Sequence, residues 1–230
     1  MLRLLLGFAL VPAIIGLGYA LVGGASEAKG ATTVLSLDSG IFAFLAGFCG
    51  FSLVYVFFPI SPRAYIWAHE LTHALFARLH GARVRDLSVE EDCGSIVLSK
   101  KHLLTILSPY FFPLYTVGVI LVLLLLSFFV PHTHLRIPGL ALLGVSWGFH
   151  ACFTINSMMQ HQTDLEYSGY IFSYVFVTLL NLIVLAIGLL VTTSYPVLDF
   201  LLLWRDHSAQ AYTKLWATVF AYYNRIWGLF

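Results

Sequence analysis

Long apolar runs separated by short polar links set the pattern of this chain. Residues 4–23 form the first run, after a single Arg3, and a polar link over residues 24–40 leads to a second at 41–60, rich in Phe and Gly. A helix needs about 20 apolar residues to cross the hydrocarbon layer, so both runs predict membrane spans. The first is longer than the apolar region of a typical signal peptide, which predicts a retained anchor. Further runs follow at Leu103–Val130, broken by Ser108-Pro109 and Pro113, at Pro138–Met158, and at Ser168–Thr193, which Pro196 ends. Prolines inside such helices free backbone carbonyls and are tolerated where protein or a water-filled cavity satisfies them.

Two stretches depart from this pattern. Residues 82–101 hold Arg83, Arg85, Asp86, Glu90, Glu91, Asp92, Lys100 and Lys101. Within them Val84, Leu87 and Val89, then Ile96, Val97 and Leu98, flank Glu-Glu-Asp-Cys-Gly, which predicts a β-hairpin turning near Asp92–Gly94. The tail, 198–230, has Leu215, Trp216, Val219, Phe220, Tyr223, Ile226 and Trp227 on one side and Lys214, Thr218 and Arg225 on the other. That arrangement predicts an interfacial amphipathic helix. On Pro138–Met158 the residues Gly139, Ser146, His150, Thr154 and Ser157 share a small or polar stripe, with His150 placed for an interhelical hydrogen bond or a role in a site.

Composition agrees. Of 230 residues, 60% are hydrophobic and 10% charged, with a mean hydropathy of +0.88. A soluble domain carries about a quarter charged residues, so the chain is expected to be a multi-pass protein of the cell (inner) membrane, with the lipid bilayer as its surroundings. A net charge of +1 and the lack of a basic run exclude a nucleic-acid partner. Cys49, Cys93 and Cys152 are scattered and form neither a disulfide framework nor a zinc-finger spacing. The expected fold class is an all-α polytopic membrane protein of about six transmembrane helices. A short β-hairpin and a C-terminal amphipathic helix complete it. The expected divisions are residues 1–60 (two N-terminal spans), 61–195 (a membrane core) and 196–230 (the tail).

The chemistry lies in Ser61–His80, one of the six expected spans, where His69-Glu70-Leu71-Thr72-His73 is an H-E-x-x-H pattern. Ser61 suits an N-cap, Pro62 the first helical position and Gly81 the C-terminal stop. Residues four apart share a helix face, so His69 and His73 can present two imidazoles to one ion. Glu70, about 100° round the axis, is placed to act as a base rather than as a ligand. Zinc suits this donor set best. A catalytic zinc takes three protein ligands, and Asp164, His161 and Glu166 are the contenders for the third. Asp164 leads because it lies just before the last span.

The stretch from His69 to Val84, including Ala74 and the Gly81 twelve residues after the first His, resembles the first motif of the site-2-protease family of intramembrane zinc metalloproteases. That family places a membrane-associated β-hairpin after this helix, matching residues 82–101, and an Asn eight residues before a ligand Asp, matching Asn156 and Asp164. The resemblance spans about residues 61–195 and implies zinc held by His69, His73 and Asp164, with Glu70 as base and Asn156 at the substrate. It implies hydrolysis of peptide bonds in or near transmembrane segments of membrane-protein substrates. The chain departs from the family between Asn156 and Asp164, which lack its prolines, and at Leu165, where the family has Gly. A compact, divergent member fits this pattern. The alternative from a different class is a non-catalytic membrane protein that only binds zinc.

Overall fold

The computed structural model describes residues 2–27, 39–91, 93–192 and 195–227. Residues 28–38 of the polar link, and Asp92 in the hairpin turn, lie outside them. In chain order the elements are α1 (Leu2–Glu27), α2 (Ser39–Phe57), α3 (Arg63–Leu79), β1 (Val84–Val89), β2 (Gly94–Leu98), α4 (Leu103–Leu107), a 3-10 turn (Ser108–Tyr110), α5 (Leu114–Leu126), α6 (His132–Met159), α7 (Thr163–Ser168), α8 (Tyr170–Thr192) and α9 (Val197–Trp227). They form two compact units, residues 1–36 with 169–230, and residues 37–168. Within the second unit α2 packs along α6.

Three helices are long and apolar enough to cross a membrane, at Leu2–Gly24, His132–Met159 and Tyr170–Gly188. Leu103–Tyr110 and Leu114–Leu126 meet at a 75° bend, and taken as one broken span they make a fourth. The expected count of six is therefore not reached among the described residues. The apolar part of α2 is only Phe42–Phe57. The 17 residues of α3 span about 26 Å at 1.5 Å each, and they carry the His, Glu and Arg side chains that lower its hydropathy. Polarity is distributed as lipid surroundings demand. Glu70, His73, Ser108, Ser146 and His150 are buried, while Leu121, Leu124, Phe128 and Phe129 are exposed.

In the unit of α1, α8 and α9, Leu17, Ala20, Ala186 and Phe200 form the core. The expectation of an interfacial tail is met only in part. The first half of α9 is tied to α1, where the Trp204 indole donates to the Ala13 carbonyl at 3.0 Å and the Tyr212 hydroxyl to that of Ala9 at 2.6 Å. Its second half leaves Leu215, Trp216, Phe220 and Tyr223 exposed.

In the other unit, Gly47 and Gly144 let α2 and α6 approach until backbone meets backbone. A β-carbon on Gly144 would strike the Phe44 carbonyl, and one on Gly47 that of Ala141. All five residues of the predicted stripe on α6 are buried. The hairpin forms as expected. β1 and β2 are antiparallel, pairing Leu87 with Ile96 and Val89 with Gly94, with an irregularity between Val84 and Asp86. Its closing bond runs from the Glu90 amide to the Cys93 carbonyl at 2.8 Å. Leu87, Val89, Ile96 and Leu98 alternate as the half-buried face.

Candidate metal centre

The helix that carries the histidines is fixed at both ends by backbone chemistry. At its start the Ser61 hydroxyl accepts from the Arg63 amide at 3.4 Å, and Pro62 already has helical angles. Its end is a left-handed turn at Gly81, with φ of +69°, where the Ala82 amide bonds the Ala77 carbonyl at 2.8 Å and the Gly81 amide bonds that of Arg78 at 3.0 Å. That pair of bonds satisfies carbonyls that the helix would leave open and sends the chain back as β1.

On this helix His69 and His73 face one direction, and α7 brings Asp164 to meet them. The Nε2 atoms of His69 and His73 lie 3.3 and 3.1 Å from the same Asp164 oxygen, Oδ2. One donor atom from each of the three residues lies within 4.8 Å of the others. His161 and Glu166 are exposed and pair with each other at 3.5 Å, and neither joins the group. Asn156 is exposed on α6 and does not line the cleft at the site.

The hydrogen bonding of His73 decides what its ring can do. Its Nδ1–H donates to the Thr105 carbonyl at 2.7 Å, in a fully buried position. A carbonyl only accepts, so a neutral His73 ring has its lone pair at Nε2, aimed at a carboxylate oxygen that is also an acceptor. Two acceptors at 3.1 Å repel unless a proton or a metal cation lies between them. Donor atoms around a tetrahedral zinc with bonds of about 2.0–2.1 Å sit about 3.3 Å apart. The measured 3.1 and 3.3 Å match that edge, so the residues fit the ion.

Sequence reasoning missed several supports. Thr105 contributes its backbone carbonyl, which a helix would normally bond to the amide of residue 109. Residue 109 is Pro and has no amide hydrogen, so the carbonyl is left to accept from His73 and from the Ser108 hydroxyl at 3.0 Å. The Ser-Pro break was the available signal. Tyr110, fully buried, sets its ring edge-on to His69 at 5.2 Å and 89°. Gly94, at the start of β2, lies directly against Glu70, where a β-carbon would be 2.7 Å from Oε1 and 2.8 Å from Cγ. Glu70 is itself 6% exposed.

Beside the three donors opens a cleft of about 480 Å³. Glu70, Ile96, Leu98, Lys101 and Tyr167 line it, so β2 forms one wall. The Lys101 ammonium sits 5.6 Å above the Tyr167 ring.

Comparison with protein-family models, with curated proteins and with solved structures finds no match for this chain.

Proposed function

We propose that this protein is a membrane-embedded zinc metalloprotease of the site-2-protease type, cutting peptide bonds in or near the transmembrane segments of other membrane proteins. The observation that supports it most is the convergence of two imidazole nitrogens on one carboxylate oxygen with a buried glutamate beside them. His69, His73 and Asp164 would hold the ion. A zinc ion there supplies Lewis acidity towards the scissile carbonyl and brings water to nucleophilic strength near neutral pH.

Everything else is done by the chain. The Thr105 carbonyl keeps His73 in the tautomer that leaves Nε2 open. Glu70 takes the proton of the attacking water and hands it to the leaving amine. A peptide in a transmembrane helix is protected because its backbone is already paired, so the substrate must unwind in the cleft. The β2 wall offers replacement partners as an added strand.

Glu70 also separates this reading from a protein that only binds zinc, which has no need of a costly buried carboxylate next to its ligands. Glu70→Gln is expected to keep one zinc per chain and to lose cleavage of a co-expressed single-span membrane protein. Removing a general base costs a factor of about 10²–10⁴. Equal processing by both proteins would refute the proteolytic reading.

A further inference from the structure

His69 borders two cavities. One is the cleft; the other is far smaller, with about 10 Å³ open to the centre of a water-sized sphere, and its lining includes Thr72, Tyr115, Phe149 and His150. That room sits at the lower edge of what one water molecule needs, about 10–15 Å³. The space is also polar. Two ring nitrogens of residues on its wall, His69 Nδ1 and His150 Nε2, are buried with no hydrogen-bond partner among the described residues. His150 lies on α6 and is 8% exposed, with the Thr154 hydroxyl 3.5 Å from Nδ1.

Buried ring nitrogens are rarely left unpaired. Here the two have opposite needs. With Nε2 of His69 given to the ion, as proposed above, a neutral ring carries its hydrogen on Nδ1 and is a donor there. Where the His150 Nδ1–H donates to the Thr154 hydroxyl, Nε2 is an acceptor. A single water accepts from the first and donates to the second. The Thr72 hydroxyl donates to the Ala68 carbonyl at 2.7 Å and keeps lone pairs for the water's other hydrogen.

We infer that an ordered water joins His69 Nδ1 to His150 Nε2 and that His150 is a positioning residue for the metal centre. This rests on the zinc reading above in one respect only, the role given to His69. It completes a symmetry of support. His73 is held from behind by the Thr105 carbonyl, and His69 by His150 through water. Ligand histidines whose second nitrogen is so held bind metal more tightly, and loss of that partner costs about 10–100-fold in affinity.

Three measurements on the protein test it. A high-resolution structure should show one water within hydrogen-bond distance of both nitrogens. Zinc affinity, by competition with a chelator, should fall about 10–100-fold in His150→Leu. It should be largely retained in His150→Gln, whose amide oxygen still accepts. The absorption bands of the cobalt-loaded protein should shift in His150→Leu and not in His150→Gln. If His150→Leu fails to fold, the water density and the His150→Gln protein decide. A dry cavity overturns the inference, as does a folded His150→Leu protein that binds zinc like the wild type. A wild-type protein without affinity for zinc overturns the metal reading and, with it, the positioning role of His150, whereas the water density tests the bridge alone.

Discussion

Gly94→Ala should disable the site without touching a metal ligand. The new methyl group would lie 2.6 Å from Ile66 Cγ2, 2.7 Å from Glu70 Oε1 and 2.8 Å from Glu70 Cγ. Carbon atoms rest about 3.5–4.0 Å apart, so the shortfall is about 1 Å on two sides. Bending only the tip of Glu70 cannot relieve it, because Cγ and the Ile66 methyl are both too close. Either Glu70 or the start of β2 must move by about that amount. A displacement of about 1 Å at a catalytic group costs on the order of 100-fold in rate. Overpacking itself costs about 1–3 kcal/mol. His69, His73 and Asp164 are not among the nearest atoms, so zinc per chain should stay at the wild-type value. The assay is processing of a co-expressed single-span membrane protein, with metal content and thermal midpoint measured on the same preparations. Wild-type processing together with an unchanged midpoint would refute the reasoning that Gly94 is small because Glu70 lies against it.

Two further outcomes are expected. Asp164→Ala should lose zinc, whereas His161→Ala and Glu166→Ala, which remove members of an exposed pair, should keep it; elemental analysis of the purified proteins checks this. Gly144→Ala should lower the thermal midpoint by the equivalent of about 1–3 kcal/mol, because its methyl group meets the Phe44 carbonyl and the α2 backbone cannot give as a side chain would.

Residues with a local signature were legible in the sequence. The spacing of His69 and His73 fixes their common face, and Gly81 announces the end of α3 because only a left-handed residue lets the chain turn back there. The hairpin was legible from its alternation, and the stripe on α6 from its period. Ser61 was read as the cap with the helix starting at Pro62, one residue earlier than the start at Arg63. The third donor was not decidable locally, since His161, Asp164 and Glu166 lie within six residues and are chemically comparable. Six-residue α7 settles which one faces α3, and that depends on contacts 91 residues distant along the chain. The span count failed for a related reason. A helix that carries His69, Glu70 and His73 between short apolar flanks looks like a span only while its neighbours are counted with it.

Pro109 carries a lesson about where a protein keeps its information. What it gives the metal centre is a missing hydrogen, which turns the Thr105 oxygen from a rung of a helix into a socket for His73. The partner that uses the socket never sees the side chain at position 105. Residues of similar size there can change without consequence for the histidine, while replacement of Pro109 returns a competing amide and reaches His73 through an atom nobody mutated. Sensitivity to substitution and contact with the reacting groups thus fall on different residues. In a map of tolerated changes, Pro109 would stand out beside the donors themselves, while Thr105, whose oxygen holds the histidine, would not.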